Sequence, residues 1–399
     1  MLHDDLPLRF GVNYTPLAHW YYCWNDWDAD AVARDLDRIA EIGADHVRVQ
    51  LLWPYFQPNP RYVSGIHLRR LRELMTACEA RRLDVVPTIL TGFLSGYFFL
   101  PPNVSRPDVF RSPEVFDAIL RYFRRVLEVT RDCPNVLAID LGNEVNCLDH
   151  SLPAEEGAAW AGRLLAEIEP LSGGTPVVNG IDHTPVFHSS TFSMEHLAND
   201  YPLITLHTWP FFTGCLKHGE LDDPPSIHLA AFMAEYARAF VDGAVAVEEK
   251  PVWLQEFGCC DLWGDFDRRE RYLRQTIDLA VRHGVTHFTF WCSHDKTRDI
   301  EFEEFEYHYG LIDTENRIKP LGEVYREVIA QYRQNPPPFQ PPDAAIEIAA
   351  DFRPRFGLAH PPAEWVDQQA SSTLWEVFQQ YLQAAADGKT PTIQRKPAV

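Results

Sequence analysis

The chain has 399 residues, of which 46% are hydrophobic and 23% are charged, which is an ordinary composition for a globular protein with a large core. Its 57 acidic residues outnumber its 36 lysines and arginines and give a formal net charge of −21. Such a charge repels phosphate backbones and anionic lipid, so we expect neither nucleic acid nor a membrane as a partner. The start, MLHDDLPLRFGVNY, lacks a basic segment followed by an apolar one, and no apolar run is long enough to span a membrane. We therefore expect a cytoplasmic location.

The eight cysteines are scattered without the C-x-x-C or C-x-x-H spacing that is typical of metal sites. We interpret them as free thiols in a reducing compartment, and we expect no metal ion and no cofactor. They are Cys23, Cys78, Cys133, Cys147, Cys215, Cys259, Cys260 and Cys292.

The order of the elements predicts an α/β barrel. The strand-like segments, in chain order, are RFGVNY, DHVRVQLLW, DVVPTIL, VLAIDLGN, PVVNG, LITLHTW, PVWLQEFG and THFTFW. Amphipathic, helix-like segments cover Ala29–Ile42, Leu68–Arg82, Pro113–Arg131, Glu155–Ile168, His228–Val247, Arg268–His283 and Lys319–Arg333. Alternating strands and helices form parallel sheets. Eight such units without a G-x-G-x-x-G after the first strand favour a closed (β/α)8 TIM barrel over a dinucleotide-binding fold, and we assign residues 1–334 to it.

A small C-terminal appendage follows this barrel. The segment NPPPFQPP predicts a stiff, proline-rich linker over residues 335–343. Residues 344–399 contain a strand-like run, Ala345–Phe352, and a helix-like run, Ala363–Ala386. The helix-like run carries too many apolar residues for a free tail, so we expect it to pack on the barrel or on a partner subunit of a homo-oligomer.

Two carboxylates lie at the ends of predicted strands. Glu144 ends VLAIDLGNE and Glu256 follows PVWLQ. In a closed barrel both strand ends lie on the same face, where the active sites of such barrels are built. Two carboxyl groups that converge there can cleave a glycosidic bond, and we expect them to lie about 5–5.5 Å apart if the mechanism is retaining.

Further residues at the strand ends match a known pattern. Strand two carries Arg48, strand four ends in Asn143 and Glu144, strand six carries His207, and strand eight ends in Trp291. In these motifs residues 8–334 resemble clan A glycoside hydrolases, most closely glycoside hydrolase family 5. The resemblance implies that Glu144 is the acid/base, that Glu256 is the nucleophile and that Asn143 holds the sugar 2-hydroxyl. Our candidates for substrate binding are Arg48, Trp53, Asn143, His207, Trp209, Trp291 and His294.

The sequence departs from the family pattern at two positions. Thr91 and Gly92 stand where the family usually has a histidine after strand three, and Trp209 stands where it has a tyrosine after strand six. An indole N–H can donate one hydrogen bond but cannot accept one. The departures leave the subfamily and the substrate open.

The function predicted from these residues is that of a retaining β-glycoside hydrolase. It would cleave a β-linked mannoside or glucoside, either an oligosaccharide or a small glycoside, through a glycosyl-enzyme intermediate. Two alternatives stay open: a non-catalytic carbohydrate-binding barrel, and an endo-acting β-mannanase or glucanase instead of an exo-glycosidase. An aldolase would need a lysine inside the barrel, and none of the strand-like segments has one.

Overall fold

A sheet of eight parallel strands forms the centre of the computed structural model, which describes residues 8–187, 190–243, 250–352 and 373–397. The apolar runs that predicted these strands are buried on both faces, as in other parallel sheets that helices cover. The strands are β1 (Arg9–Asn13), β2 (His46–Leu52), β3 (Asp84–Thr91), β4 (Ile139–Gly142), β5 (Val177–Val178), β6 (Ile204–Thr208), β7 (Val252–Phe257) and β8 (Val285–Phe290).

The strand order closes this sheet on itself. Hydrogen-bonded neighbours run β5-β4-β3-β2-β1-β8-β7-β6, so that the first and last strands in sequence pair with each other. In the described residues no ladder joins β5 to β6. Between these two strands, the hydroxyl of Thr205 on β6 donates a hydrogen bond of 2.5 Å to the carbonyl oxygen of Asn179, which follows β5. The result is a nearly closed (β/α)8 barrel, which confirms the predicted fold class.

The helices surround the sheet, and local signals set their ends. The carboxylate of Asp28 accepts hydrogen bonds from the N–H groups of Asp30 and Ala31 and caps the first helix, which Gly43 ends in a left-handed conformation with φ 89°. The described barrel helices of six residues or more are α1 (Ala29–Ile42), α2 (Gly65–Glu79), α3 (Pro113–Thr130), α4 (Ala154–Ile168), α5 (Met194–Asn199), α6 (Leu229–Arg238), α7 (Phe266–Arg282) and α8 (Pro320–Gln334).

Short helical turns and one hairpin lie in the connections. The predicted segment His228–Val247 forms a helix only as α6, and its last residues fall outside the described part of the chain. A two-stranded hairpin, which the sequence did not predict, pairs Phe93–Leu94 with Tyr97–Phe98. The turns are Trp20–Trp24, Trp53–Phe56, Asp108–Arg111, Val145–Leu148, Glu169–Leu171, Thr184–Phe187, Cys215–Lys217, Pro224–Ile227, Asp261–Trp263 and Glu304–His308.

The described part of the C-terminal extension packs against α6. It consists of strand β9 (Ala344–Ile348), helix α9 (Thr373–Ala386) and strand β10 (Pro391–Arg395), and the two strands pair in parallel. The ring of Phe378 lies 4.4 Å from that of Phe232 on α6. The predicted strand Ala345–Phe352 is shorter in the structure, β10 was not predicted, and residues 363–372 of the predicted helix lie outside the described residues. None of the described helices is long and apolar enough to cross a membrane.

Candidate active site

Glu144 and Glu256 meet at the carboxyl-terminal mouth of the barrel. Glu256 lies on β7, and Glu144 follows β4 in a left-handed conformation with φ 46°, which side chains other than glycine rarely adopt and which is often found at functional sites. One carboxylate oxygen of each residue and one ring nitrogen of His207 all lie within 4.8 Å of one another. The strand ends therefore bring together the two glutamates that the sequence singled out.

Arg48 lies beneath Glu256 and links it to the barrel interior. Its side chain is fully buried, and its Nη1 donates hydrogen bonds to Glu256 Oε1 at 2.8 Å and to Asn13 Oδ1 at 3.0 Å. Its Nε donates to Asp140 Oδ2 at 2.8 Å, and its Nη2 donates to Asn143 Oδ1 at 2.9 Å. One guanidinium therefore orients the carboxylate of Glu256 and the amide of Asn143 together.

His207 stands between the two carboxylates. Its Nδ1 lies 2.8 Å from Glu144 Oε1 and 3.5 Å from Glu256 Oε2, and its Nε2 lies 3.4 Å from Gln255 Oε1. Burial lowers the pKa of His207 below its usual value. The imidazole is therefore neutral at pH 7, with a proton on only one of its two nitrogens.

The amide of Gln255 selects which nitrogen carries this proton. Its Nε2 donates to Asp140 Oδ2 at 3.2 Å, so its Oε1 is the atom that faces His207. A carbonyl oxygen only accepts, which assigns the N–H of the ring to Nε2 and leaves Nδ1 as an acceptor. An accepting Nδ1 next to Glu144 favours the protonated carboxyl group, because that form can donate to it.

The pKa values of the two glutamates are raised to different extents. Burial, with a further contribution from the negative charge of Asp182, raises the pKa of Glu144 to about 8. Burial also raises the pKa of Glu256, to about 7, with Glu144 adding to the rise while His207 and Arg48 oppose it. Of the two carboxyl groups, Glu144 thus holds its proton more firmly, and Glu256 is the first to ionise as the pH rises.

A cavity of about 370 Å³ opens above these carboxylates, a size within the range of small-molecule sites. Asn143, Glu144, Glu256 and the indoles of Trp209 and Trp291 all line it. The other lining residues are Phe93, Leu94, Ser95, Gly96, Cys147, His150, Asp182, His183, Phe212, Glu303, Phe305, Glu306 and Tyr309.

The Phe93–Phe98 hairpin forms one side of the cavity. Ser95 at its turn donates a hydrogen bond to Glu306 Oε2 at 3.2 Å and accepts one from Lys296 Nζ at 2.9 Å. The hydroxyl of Tyr97 also bonds to the carbonyl oxygen of Glu301. The connection after β3 is thus joined to the connection after β8, across the ends of β1 and β2.

Four of the predicted substrate-binding residues do not line the cavity: Arg48 and His207 lie beneath and beside the glutamates, and Trp53 and His294 lie elsewhere. Trp53 was expected to end β2, but the strand stops at Leu52 and a helical turn containing Pro54 follows. This turn buries the indole of Trp53 completely, and its Nε1 donates to Gln57 at 2.9 Å. His294 is also fully buried, with Nδ1 3.0 Å from Ser293 Oγ and Nε2 3.3 Å from Asn316 Oδ1.

Several cavity residues were missed by the sequence analysis. Asp182 and His183 directly follow the predicted strand PVVNG and its next residue, so the rule that singled out the glutamates could have found them. Glu306 and Tyr309 lie in the long connection between β8 and α8, where no periodicity indicates which residues turn toward the barrel.

Among the residues that the structure describes, two groups of side chains could offer ligands to a metal ion. In the first, Glu144, His207 and Glu256 offer one atom each, and the positive charge of Arg48, 2.8 Å from Glu256, opposes a cation there. In the second, Cys147, His150 and Asp182 offer one atom each. The carboxylate of Asp182 already accepts hydrogen bonds from Asn146 and Thr184. The observed contacts of both groups are explained without a metal.

A (β/α)8 barrel with two carboxylates this close at its mouth is the arrangement of a barrel glycoside hydrolase. No family model and no curated protein matched the sequence. The solved structures include a GH5_18 enzyme from Streptomyces cattleya in complex with Manβ1-4GlcNAc. It is 30% identical, with 97% of this chain and 94% of that chain covered and a TM-score of 0.86. The chain belongs to glycoside hydrolase family 5, which confirms the predicted family and enzyme class, and it is a β-glycoside hydrolase.

Other solved structures are similar over almost the whole chain. A GH5_18 enzyme from Bifidobacterium longum subsp. longum ATCC 55813, also in complex with Manβ1-4GlcNAc, is 27% identical, with 98% of this chain and 91% of that chain covered and a TM-score of 0.85. The exo-beta-1,4-mannosidase Op5Man5 from Opitutaceae bacterium strain TAV5 shares the fold at 23% identity, with 97% of this chain and 69% of that chain covered and a TM-score of 0.81.

Proposed function

We propose that this enzyme is a retaining, exo-acting β-mannosidase that releases mannose from a β-1,4-linked N-acetylglucosamine. The separation of the two glutamates carries the proposal of a retaining mechanism. Their nearest oxygens lie within 4.8 Å, a close approach that fits the separation of about 5–5.5 Å between the carboxyl groups of retaining enzymes better than the roughly 6.5–9.5 Å of inverting ones.

The reaction would proceed in two displacements. Glu144 donates its proton to the glycosidic oxygen while an oxygen of Glu256 forms a bond to the anomeric carbon, and the bond to the leaving sugar breaks. Glu144, now ionised, then takes a proton from water, which attacks the anomeric carbon and releases Glu256. The raised pKa of Glu144 supports its role as the acid, and the contact of Arg48 with Glu256 supports a charged nucleophile.

The substrate is inferred from two observations. Structures of two GH5_18 enzymes that are 30% and 27% identical to this chain hold Manβ1-4GlcNAc. In addition, the bonds of Ser95 to Glu306 and Lys296 join the hairpin to the connection after β8 beside the cavity. Such a link between two connections limits how far a binding cleft can extend on that side, which favours exo over endo action.

The experiment uses variants of the two glutamates and added azide. Glu256→Ala removes the nucleophile, so turnover of 4-nitrophenyl β-mannoside should fall by several orders of magnitude, and azide should yield a glycosyl azide of inverted configuration. Glu144→Ala should retain part of its glycosylation rate with activated leaving groups, and azide should then yield a product of retained configuration. NMR of the products distinguishes the two configurations.

A matched control is Glu304→Ala, whose carboxylate pairs with Arg298 outside the cavity. It should keep wild-type turnover. If the wild-type enzyme cleaves Manβ1-4GlcNAc and both catalytic variants cleave it equally well, the assignment of Glu144 and Glu256 is wrong. If the protein binds the disaccharide and cleaves no β-glycoside, it is a carbohydrate-binding barrel.

A further inference from the structure

The connection after β8 lines the cavity with Trp291, Phe305 and three further residues at intervals of three. Glu303, Glu306 and Tyr309 all line it, and the helical turn Glu304–His308 between them is a 3₁₀ helix. In a 3₁₀ helix residues three apart lie on the same face. The geometry of this turn therefore presents a carboxylate and a phenol side by side to whatever occupies the cavity.

The carboxylate of Glu306 is fixed in place by one of its two oxygens. Oε2 accepts hydrogen bonds from Ser95 Oγ and from Lys296 Nζ, and the Lys296 side chain is only 1% exposed. Within the described ranges no hydrogen bond reaches the second oxygen, Oε1. A carboxylate held on one side and free on the other is suited to accept hydrogen bonds from a ligand.

The phenol of Tyr309 has a hydroxyl group that lacks a partner among the described residues. The residue is only 2% exposed, and a buried hydroxyl without a hydrogen bond is unfavourable unless a ligand or water completes it. Its ring lies 5.4 Å from that of Trp209, another lining residue. The unsatisfied hydroxyl thus belongs to a residue that lines the cavity.

Both groups lie close to the apolar surface that would receive a sugar ring. Lys296 Nζ, which holds Glu306, lies 5.8 Å from the ring centre of Trp291 at the end of β8. We propose that Glu306 and Tyr309 bind hydroxyl groups of the terminal sugar, and that this sugar must carry those hydroxyls unsubstituted. The identity of the sugar as mannose rests on the proposed function.

The test compares Tyr309→Phe and Glu306→Gln with wild type on 4-nitrophenyl β-mannoside and on its 2-, 3-, 4- and 6-deoxy analogues. We expect kcat/KM on the parent substrate to fall about 10- to 100-fold for Glu306→Gln, because it loses a charged hydrogen bond, and about 3- to 10-fold for Tyr309→Phe. Removing the sugar hydroxyl that each residue binds should slow the wild type but cause little further loss in the matching variant.

The control is Glu304→Gln, which makes the same charge change on the same turn and should leave kcat/KM unchanged. Tyr309→Phe should also keep the wild-type Tm, because its hydroxyl makes no contact in the described structure. If each deoxy analogue lowers kcat/KM by the same factor in the variants as in the wild type, Glu306 and Tyr309 do not bind the sugar and the proposal is overturned.

Failure of the proposed function can be distinguished from failure of the roles given to Glu306 and Tyr309. A wild-type enzyme that cleaves a different β-glycoside and no mannoside overturns the mannosidase proposal, and the deoxy series is then made in the sugar that it does cleave. Calorimetric titration of Glu144→Ala protein with Manβ1-4GlcNAc, with and without Tyr309→Phe, gives a comparison that needs no turnover. Equal affinities in that titration would also overturn the role of Tyr309.

Discussion

Arg48 lies directly below Glu256 and donates a hydrogen bond of 2.8 Å from Nη1 to Oε1. The same guanidinium bonds to Asp140 at 2.8 Å, so one buried cation is shared by two carboxylates. Burying such charges is unfavourable unless they are paired in good geometry. The arrangement thus ties the ionisation of Glu256 to a fixed part of the barrel interior.

The first prediction concerns Arg48→Lys. Arg48 lowers the pKa of Glu256 against the rise that burial causes, and an ammonium cannot keep the forked contacts to Glu256, Asp140 and Asn143. The pKa of Glu256 should therefore rise. Because the nucleophile must be ionised, the acid limb of the pH profile of kcat/KM should move to higher pH, while the alkaline limb that reports Glu144 changes less.

The measurement is kcat/KM for an aryl β-mannoside between pH 4 and 10, at temperatures where circular dichroism shows a folded variant. Arg333→Lys serves as a control, because Arg333 pairs with Asp45 away from the cavity. An unchanged acid limb in a folded, active Arg48→Lys enzyme would show that this contact does not set the charge of Glu256.

The second prediction concerns Gln255→Met, which has a similar length and no carbonyl group. Without Oε1 the ring of His207 is free to carry its proton on Nδ1, and this N–H can then donate a hydrogen bond to ionised Glu144. This favours the charged form of Glu144, so its pKa should fall and the alkaline limb of kcat/KM should move to lower pH. Substrates with a dinitrophenyl leaving group need little protonation and should lose less rate. Equal loss with good and poor leaving groups would contradict the assigned tautomer.

The sequence could predict the barrel and its two glutamates for the same physical reason. Parallel strands in a closed barrel all end on one face, so strand order alone brings Glu144 and Glu256 together. The contacts between loops had no such signal. Ser95 reaches Lys296 and Glu306 across the barrel mouth, and these partners lie far apart in the sequence and in segments without periodicity.

Trp53 illustrates the limit of reading a strand from its apolar run. The segment DHVRVQLLW continues apolar through Trp53, but Pro54 has no N–H to offer to a ladder, so the strand ends and a helical turn begins. The surface on which α9 packs could not be predicted either, because apolar residues alone do not tell which surface they cover. The structure places Phe378 and Tyr381 against Phe232 of α6.

The third prediction compares alanine substitutions at two glycines, one in crowded and one in open surroundings. A Cβ at Gly180 would lie 2.7 Å from Arg48 Nη2, 2.8 Å from Gln255 Oε1 and 2.6 Å from the carbonyl oxygen of Gly142. Gly180→Ala must therefore displace the Arg48 network, and we expect a loss of about 1–3 kcal/mol of stability together with a large loss of kcat.

Gly162→Ala is the matched control for this change. Gly162 lies inside α4, and nothing lies within 4 Å of the position of its Cβ. Alanine is the better helix former, so this variant should gain about 0.5–1 kcal/mol and keep its activity. Thermal melts and initial rates of both variants give the comparison. A Gly180→Ala enzyme with normal rates would show that the network tolerates displacement.

The last prediction concerns the contact between the C-terminal extension and the barrel. Tyr381 on α9 is fully buried, and its hydroxyl lies 3.2 Å from Nε2 of His283, whose Nδ1 lies 3.1 Å from Glu235 Oε1. Glu235 Oε2 accepts a further hydrogen bond of 2.6 Å from Thr392 of β10. Tyr381→Phe removes one member of this buried network, so we expect it to lower stability by about 1–2 kcal/mol.

The network should also make stability depend on pH. Burial would raise the pKa of Glu235, but its hydrogen bond to His283 and the charge of Arg238 outweigh this, so the pKa in the folded protein is lowered. The contribution of Glu235 to folding stability is therefore present above the pKa that Glu235 has in the unfolded chain, and it is lost as the pH falls through the lowered pKa of the folded protein.

Tyr62→Phe, at a residue that is 55% exposed, is the control for Tyr381→Phe and should leave Tm unchanged. Since none of these residues lines the cavity, kcat/KM should stay at its wild-type value at 25 °C. A Tyr381→Phe protein with normal Tm and no turnover would instead show that the extension takes part in building the active site.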